Sequence, residues 1–452
     1  MFKKIFSMVC LILVTFSINV FADSSSEILS DIGVFTETSE NTGNGISRLE
    51  FVTSLIKGFF SDVDLSADTE NTFSDTNDRY AVYALNAGIV NGTADGIFNP
   101  KTNVTYNQAV KMLINAIGYK ADGEYPAGYL KKAAECGLIK ADGMEDCTIT
   151  REEAAQLILA GLNMYKVTYN EKGAAVYEHN KFIRKLGYTV VNGKAKKIIK
   201  KSEQLYADGE MPYAANYGQT PGIEIYSVED NAPAVVFFPG GAYMRMSAIE
   251  SAQIPEFLNS LGITAVLVNY RVTPYTYEAI TADALKAMEL VKERAEEFKI
   301  NSEKIGAMGC SAGGHLAAYV STTGAADEKT RPDFTILGYP VISMTDELTH
   351  IDSRTNFFGT ETPEKALTEK YSNENNVTEN TPQTFIFHAM NDSAVASENS
   401  VAYAYALKAH GINCELHLYP ESGHGFANGF GKPRVCEWRE SCKNWLKSID
   451  IL

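Results

Sequence analysis

The segment Lys304–His315 constrains the fold of this chain more than any other stretch. A short apolar run ends at Gly309, Ser311 stands between small residues, and a helical pattern begins at once. Glycines at Gly309 and Gly313 permit a turn so tight that side chains at these two positions would clash. Such a strand–turn–helix exposes the serine hydroxyl at the top of a sheet, beside a helix N-terminus that favours developing negative charge. Because this pentapeptide is common by itself, its meaning depends on the rest of the chain.

Alternating strand and helix patterns surround this turn from about residue 205 to the C-terminus. The predicted strands are 223–226, 234–238, 264–269, 305–308, 334–337, 384–388 and 414–419. Amphipathic helical patterns such as 279–298 and 397–410 separate them. Short β-rich runs divided by helices predict an α/β fold, with a mostly parallel sheet covered by helices on both faces. In such sheets, chemistry takes place at the carboxyl ends of the strands.

Backbone N–H groups that can bind a negatively charged oxygen follow two of these strands. Gly240 and Gly241 come directly after the strand 234–238, and their lack of side chains lets a ligand oxygen approach the backbone. Ala312, the residue after Ser311, supplies another N–H group. We expect these three N–H groups to form an oxyanion hole beside the serine hydroxyl.

One of the seven histidines is the best candidate for a general base. His424 lies in a glycine-rich loop after the last predicted strand, at the end of the sheet where chemistry is expected. His388 ends a strand, where we expect it to brace the loop that follows. The other five lie in the region before residue 205, within a strand, or in helical and loop settings. We therefore select His424 to take the proton from Ser311.

Asp392 is the favoured acidic partner of this histidine. It follows the strand 384–388, whereas Asp346 and Asp352 follow the preceding strand and are the alternatives. An acid in this position holds the imidazole tautomer and stabilises its cationic form. A group of Ser311, Asp392 and His424 needs neither a metal nor an organic cofactor.

Residues 205–452 resemble the esterase/lipase branch of the α/β-hydrolases, whose catalytic residues follow the order Ser, Asp, His. The matching phrases are Asn269–Pro274, Gly309–His315 and Cys414–Tyr419. The resemblance is closest to bacterial acetyl-xylan and feruloyl-type carbohydrate esterases. It implies a serine esterase that removes acyl groups, chiefly acetyl, from plant cell-wall polysaccharides such as xylan. The family usually has a third glycine where Ala242 stands and a proline where Ala396 stands.

Other functions remain open at this point. A lipase, a small-ester carboxylesterase or a peptidase with the same fold would use the same residues. A catalytically inactive binding protein is a further alternative, against which the intact Ser311, Asp392 and His424 argue. Within the phrase Asn269–Pro274, we expect Arg271 to form a salt bridge at the sheet edge rather than to contact substrate.

The N-terminal third repeats one pattern three times over residues 23–165. Each copy ends a helical pattern at a glycine, continues through a polar loop and begins another helix at a Ser or Thr N-cap. The three N-cap segments are Ile46–Glu50, Val104–Gln108 and Ile149–Glu153. The middle copy is the fullest and runs from Phe73–Asp75 to Asp95–Pro100.

These phrases resemble the S-layer homology (SLH) repeat. The resemblance implies a mainly α-helical module that attaches proteins to the Gram-positive cell wall by gripping an anionic secondary cell-wall polysaccharide. It assigns this contact to Arg48 and Arg151, whereas the middle copy has Tyr106 at the matching position. A guanidinium beside the free backbone donors of a helix N-terminus suits a sugar carboxylate. A structural spacer of ordinary capped helices is the alternative.

Residues 166–204 match neither neighbour. They contain a basic run made of Lys194, Lys196, Lys197, Lys200 and Lys201. We predict a solvated linker, with a small hairpin at Asn192-Gly193.

Residues 1–22 have the pattern of a secretory signal peptide. Lys3 and Lys4 precede the apolar stretch Ile5–Phe21, and Ala22 is the small residue at the expected cleavage site. A retained membrane anchor is the alternative, and no later apolar run is long enough to span a bilayer. We therefore expect a secreted protein held at the cell surface of a Gram-positive type of wall.

The net charge and the cysteine spacing argue against a nucleic-acid-binding protein and against a zinc-binding protein. A formal charge of −16 makes this chain a poor ligand for nucleic acid. None of the seven cysteines lies in a C-x-x-C pair or a zinc-binding spacing. A bridge between Cys136 and Cys147 is compatible with export, although mostly unbridged cysteines are the expected state.

Overall fold

The computed structural model describes residues 23–35, 45–66, 70–93, 95–140, 145–432 and 434–452. The predicted signal peptide, residues 1–22, lies outside the described residues. The chain divides into two compact units, Met1–Ala195 and Lys196–Leu452.

Six helices build most of the N-terminal unit. They are α1 (Ser25–Asp31), α2 (Arg48–Phe59), α3 (Arg79–Asn86), α4 (Tyr106–Ile117), α5 (Ala127–Glu135) and α6 (Arg151–Leu162). The predicted N-caps Ser47, Thr105 and Thr150 begin α2, α4 and α6. Ser47 and Thr150 form full capping boxes with the residue three positions later, whereas at Thr105 only the backbone N–H is bonded, to Gln108 at 3.5 Å. These boxes satisfy backbone donors that the first helical turn leaves unpaired.

The residues just before these three caps hold the repeats together. Ile46 N–H donates to the carbonyl of Ile149, Val104 N–H to that of Ile46, and Ile149 N–H to that of Val104, at 3.2, 3.0 and 3.1 Å. All three side chains are buried in one apolar core. Each copy supplies one donor and one acceptor, so the three bonds form a closed ring that joins the three copies.

The segment predicted to be a linker is folded. It contains β1 (Tyr165–Tyr169), β2 (Ala175–Lys181), α7 (Phe182–Lys185), β3 (Tyr188–Val191) and β4 (Lys194–Lys197). Strands β3 and β4 form a hairpin at Asn192-Gly193, as predicted, and both turn residues have positive φ. The linker prediction is wrong because Phe182 and Ile183 are buried in the same core as the helices of the N-terminal unit.

An eight-stranded sheet forms the centre of the C-terminal unit. Its strands are β5 (Ile199–Gln204), β6 (Gly222–Ser227), β7 (Ala232–Phe238), β8 (Thr264–Asn269), β9 (Ile300–Cys310), β10 (Thr335–Gly338), β11 (Thr384–Ala389) and β12 (Cys414–Tyr419). Their order is β12-β11-β10-β9-β7-β8-β6-β5. Strand β6 runs in the opposite direction to the other seven strands of this sheet. All seven predicted strands are present, and the sequence analysis missed β5.

Helices cover both faces of this sheet. They are α8 (Ala248–Ser260), α9 (Tyr277–Glu293), α10 (Ala312–Ser321), α11 (Ile351–Phe358), α12 (Lys365–Lys370), α13 (Glu398–Ala409) and α14 (Trp438–Ser448). One apolar core contains side chains of α9, α10 and α13, and the other contains side chains of α8 and α14. Strand β7 contributes Val236 to the first core and Val235 to the second. The α/β prediction is therefore confirmed.

The sheet order places the candidate site. From β7 the chain passes through α8 to β8 on one side, and then through α9 to β9 on the other side of β7. This reversal puts the carboxyl ends of β7 and β9 next to each other, at the position where α/β proteins bind ligands. The loop at Gly240 and the turn at Ser311 follow these two strand ends.

Candidate active site

The turn between β9 and α10 has the conformation that the glycine spacing predicts. Ser311 is held at φ +54° and ψ −123°, a strained backbone for a residue with a side chain. A methyl group on Gly309 would collide with the carbonyl oxygen of Gly313, and one on Gly313 would collide with that of Phe238. Only glycine fits at these two positions, so the tight approach of helix to strand depends on both.

The structure brings Ser311, His424 and Asp392 together. His424 Nε2 lies 2.8 Å from Ser311 Oγ, and His424 Nδ1 lies 2.6 Å from Asp392 Oδ2. Since the carboxylate can only accept, Nδ1 carries the proton and Nε2 accepts the hydrogen bond of the serine hydroxyl. This is the arrangement that a base needs in order to deprotonate the serine.

Hydrogen bonds fix the carboxylate of Asp392 on both oxygens. Its Oδ1 accepts the backbone N–H groups of Ala394 and Val395, each at 3.0 Å, while its Oδ2 faces His424 and His388. Burial alone would raise the pKa of Asp392, but the hydrogen bonds from His388 and His424 outweigh it and hold that pKa well below its usual range. Asp392 is therefore ionised at any pH at which the protein is expected to work.

The two alternative acids lie elsewhere. Asp346 is 90% exposed and pairs with Arg354, and Asp352 is also exposed. Among the contacts of the described chain, neither carboxylate has a hydrogen bond to His424. Of the three candidates, only Asp392 is in place.

His388 braces the loop of the acid. Its Nε2 donates to the carbonyl of Val395 at 3.0 Å and to Asp392 Oδ2 at 3.2 Å. Its Nδ1 then accepts from the hydroxyl of Ser400 at 2.7 Å. The side chain joins both ends of the turn after β11, which agrees with the role predicted from its position.

One predicted oxyanion donor is wrong. The N–H of Gly240 donates to Glu250 Oε2 at 2.6 Å, so it is not available to a ligand. The N–H groups of Gly241 and Ala312 donate to no acceptor within the parts of the chain that the structure describes. At Gly241, φ is +127° and a side chain would collide with the carbonyl of Arg245, so glycine is required there.

A buried aromatic residue anchors this glycine loop. The sequence analysis did not predict that role. Tyr243 is fully buried, and its hydroxyl donates to His315 Nδ1 at 2.7 Å, while His315 Nε2 donates to the carbonyl of Tyr371 at 2.7 Å. Burial lowers the pKa of His315 to about 4, so the ring is neutral near pH 7. Ala242 has a φ of +55°, a left-handed conformation that glycine adopts more readily than alanine.

Arg271 has the structural role expected of it. Its guanidinium pairs with Asp283 Oδ1 at 2.7 Å and with Oδ2 at 2.8 Å, and both side chains are fully buried. It also donates to the carbonyl of Pro212. This bidentate pair joins the end of β8 to α9 and lies outside the group around Ser311.

The N-terminal unit places Arg48 and Arg151 on aromatic rings. The Arg48 guanidinium lies 5.4 Å from the ring centre of Phe98, and that of Arg151 lies 4.6 Å from Phe35. Burial lowers the pKa of Arg48, whose Nε is buried with no hydrogen-bond partner among the described residues. The Nη1 of Arg48 donates to the neutral amide oxygen of Gln108 at 3.3 Å, whereas the Nη1 of Arg151 pairs with the carboxylate of Glu50 at 3.5 Å.

The described residues hold neither an evident metal site nor a membrane span. No group of three or more His, Cys, Asp or Glu side chains in them is arranged to bind a metal ion. None of their helices is long and apolar enough to cross a bilayer. Cys136 and Cys147, both in described parts of the chain, are not joined by a disulfide.

Comparison with known proteins agrees with this geometry. Residues 235–428 match the family described as the α/β-hydrolase fold. An acetylxylan esterase of Xylanibacter ruminicola is 36% identical over 220 residues, or 48% of this chain and 45% of that protein. An endo-1,4-beta-xylanase B of Butyrivibrio fibrisolvens is 29% identical over 239 residues, or 49% of this chain and 37% of that protein. The chain thus spans less than half the length of these two curated relatives.

One solved structure matches over nearly its whole length. The acetyl ester-xyloside bifunctional hydrolase of Caldicellulosiruptor lactoaceticus is 34% identical, with a TM-score of 0.53, and the match covers 56% of this chain and 97% of that one. A mostly parallel sheet with a strained serine between strand and helix is the architecture of this class of protein. The chain belongs to the α/β-hydrolase family, whose fold its C-terminal unit carries.

Proposed function

We propose that the C-terminal unit is a serine-dependent carboxylic ester hydrolase that removes acyl groups, chiefly acetyl, from plant cell-wall polysaccharides such as xylan. The observation that carries this proposal is the continuous hydrogen-bond chain from Ser311 Oγ through His424 to Asp392, at 2.8 and 2.6 Å. A buried carboxylate, an oriented imidazole and a serine on a strained turn are what acyl transfer requires. The acetylxylan esterase among the relatives supports the choice of acyl group and polymer.

The first half of the reaction forms an acyl-enzyme. Ser311 Oγ attacks the ester carbonyl carbon while its proton passes to His424 Nε2. Asp392 accepts the Nδ1–H hydrogen bond and stabilises the imidazolium. His424 then donates the proton to the departing sugar oxygen, and the bond between that oxygen and the acyl carbon breaks.

The N–H groups of Gly241 and Ala312 stabilise the oxyanion of the tetrahedral intermediate. Each contributes about 3 kcal/mol if it resembles donors measured in other serine hydrolases. In the second half of the reaction, His424 deprotonates a water molecule that attacks the acyl carbon. Release of the acid returns the proton to Ser311, so that no cofactor takes part.

Acyl-chain preference tests the substrate class. We would compare hydrolysis of 4-nitrophenyl acetate, butyrate and octanoate, and measure acetate release from acetylated xylan. Preference for acetate together with release from the polymer supports the proposal. Fast turnover of octanoate without release from xylan would make the protein a lipase or small-ester carboxylesterase. No turnover of any ester would favour a binding protein.

We also propose that the N-terminal unit attaches the exported protein to an anionic secondary polysaccharide of a Gram-positive type of cell wall. The three capped helices joined by the Ile46–Val104–Ile149 hydrogen bonds support a three-repeat module of the SLH kind. The guanidinium groups of Arg48 and Arg151, each stacked on an aromatic ring, suit a sugar carboxylate.

Sedimentation with purified Gram-positive cell walls tests this attachment. The full chain should sediment with the walls, and the variant with both Arg48→Gln and Arg151→Gln should remain in solution. The Lys131→Gln variant is the control, because Lys131 is exposed and pairs only weakly with Glu135 at 3.8 Å. Equal sedimentation of all three proteins would exclude the two arginines as the binding groups.

A further inference from the structure

A second buried carboxylate lies behind the glycine loop. Glu250 is in the first turn of α8 and only 2% exposed. Among the described residues, no Lys or Arg side chain forms an ion pair with it. A buried carboxylate without a cationic partner is costly unless hydrogen bonds satisfy both of its oxygens.

Both oxygens of Glu250 are satisfied by groups of the candidate site. Its Oε2 accepts the N–H of Gly240 at 2.6 Å, and its Oε1 accepts the hydroxyl of Tyr339 at 2.9 Å. The Tyr339 hydroxyl in turn accepts the N–H of Ala427 at 3.0 Å. Because Ala427 supplies a fixed donor, the single hydroxyl hydrogen of Tyr339 is directed to Glu250.

These bonds connect three chain segments that surround Ser311. Gly240 precedes the oxyanion donor Gly241, and Ala427 lies three residues after His424. The ring of Tyr339 also packs edge-on against the ring of His424, with centres 5.1 Å apart. One carboxylate therefore constrains both the loop of the oxyanion donor and the loop of the base.

The electrostatics agree with a carboxylate that interacts with the base. Burial raises the pKa of Glu250 above its usual range, and the bonds from Gly240 and Tyr339 and the positive charge of protonated His424 offset only part of that rise.

We propose that Glu250 is a positioning residue, whose carboxylate holds the Gly240 loop and, through Tyr339, the His424 loop in fixed positions around Ser311. This inference rests on the proposed ester hydrolysis for its kinetic consequence. Glu250 touches no reacting atom, so its removal should slow the acyl-transfer step rather than weaken substrate binding.

Kinetics of matched variants supply the first test. Glu250→Gln keeps the volume but turns an N–H₂ group towards one of the two donors, so we expect kcat for 4-nitrophenyl acetate to fall about 30-fold with KM within about 2-fold. Tyr339→Phe removes the hydroxyl that joins Glu250 to Ala427 but keeps the bond from Gly240 to Glu250, and it should lower kcat about 5-fold. Glu256→Gln, a buried carboxylate further along α8, is the control and should retain full activity. Tryptophan fluorescence would verify that each variant is folded.

Amide hydrogen exchange supplies a second test that needs no substrate. In Glu250→Gln, peptides that contain Gly240 and Ala427 should exchange about 10-fold faster, while peptides from α13 and β12 should not change. If the wild type hydrolyses no ester, the proposed function fails and this exchange result alone decides the inference. Unchanged exchange at Gly240 and Ala427, or equal acceleration throughout the C-terminal unit, would overturn the inference whatever happens to kcat.

Discussion

The polar groups around Ser311 and those around Arg48 are in opposite states. At Ser311 the hydroxyl, both ring nitrogens of His424 and both oxygens of Asp392 already have hydrogen-bond partners within the chain. At Arg48, a buried Nε has none among the described residues. The first site is preorganised, whereas the guanidinium of Arg48 is only partly satisfied, since its Nη1 donates to Gln108 and its Nε to no described group. This contrast is consistent with the two proposals, ester hydrolysis by the C-terminal unit and wall attachment by the N-terminal unit.

Removal of the serine hydroxyl should have the largest effect. We expect Ser311→Ala to lower kcat for 4-nitrophenyl acetate by about 10⁵-fold, because the nucleophile is lost while the oxyanion donors remain. Ser260→Ala is the control, since the Ser260 hydroxyl bonds only within its own helix, to the carbonyl of Phe257. A Ser311→Ala enzyme with more than a tenth of wild-type activity would show that another residue is the nucleophile.

Replacement of the acid should come next. Asp392→Asn keeps the shape but leaves Nδ1 of His424 without a negatively charged acceptor, so we expect kcat to fall about 10⁴-fold. Asp346→Asn and Asp352→Asn should each change it less than 2-fold, because neither carboxylate has a hydrogen bond to His424. Steady-state rates of the three variants decide between the acids, and a large loss in either control would reassign the role.

The buried His315 should make the stability of the C-terminal unit depend on pH. Its pKa falls from 6.5 to about 4 on burial, so the unfolded chain binds a proton in this range and the folded chain does not. The stabilisation is complete above pH 6.5 and is lost as the pH falls towards 4, by about 3 kcal/mol.

The measurement compares wild type with His315→Gln. Glutamine can accept from Tyr243 and donate to Tyr371 without titrating, so its urea midpoint should depend less on pH between 7 and 4.5. The two tryptophans, Trp438 and Trp445, both lie in α14, so their fluorescence reports unfolding of the C-terminal unit alone. Parallel pH dependences of the two proteins would contradict a neutral, buried His315.

The smallest expected effect separates the two arginines of the N-terminal unit. Arg48→Gln should weaken sedimentation with cell walls about 10-fold, and Arg151→Gln only about 3-fold, because the charge of Arg151 is already compensated by Glu50, whereas Arg48 donates to the neutral Gln108. Ester hydrolysis should be unchanged in both variants. Equal losses would show that the unsatisfied Nε of Arg48 has no special part in binding, and the contrast between the two units would then be weaker.

The features that were predicted correctly, namely the serine turn, the position of His424 and the strands, depend on residues close together in the sequence. Gly309 and Gly313 are required by a turn of five residues, and His424 is placed by the loop that directly follows β12. Five of the seven predicted strands, β7 to β11, contain short buried apolar runs, because they lie between two layers of helices. Such information is present within a few neighbouring residues, so that a single sequence is sufficient to find it.

The errors arise from contacts between distant residues. Gly240 was expected to be an oxyanion donor, but the side chain of Glu250, from the next helix, takes its N–H. The second partner of Glu250, Tyr339, lies 89 residues further along the chain, and no local pattern joins the two. Strand β5 was missed because it is almost wholly exposed and lacks the alternation that marks a half-buried strand.

Strand β5 also covers the edge of the sheet next to β6. It pairs with β6 from Ile199↔Ser227 to Gln204↔Gly222, so its loss would leave the backbone of β6 bare, next to the buried Ile223 and Ile225. An uncovered edge strand with apolar side chains is a template to which another chain can add a strand. Lysines at an outermost strand oppose such growth, and β5 carries Lys200 and Lys201. A fragment that began at residue 205 would lack β5 and with it Lys200 and Lys201, so its β6 edge would be uncovered.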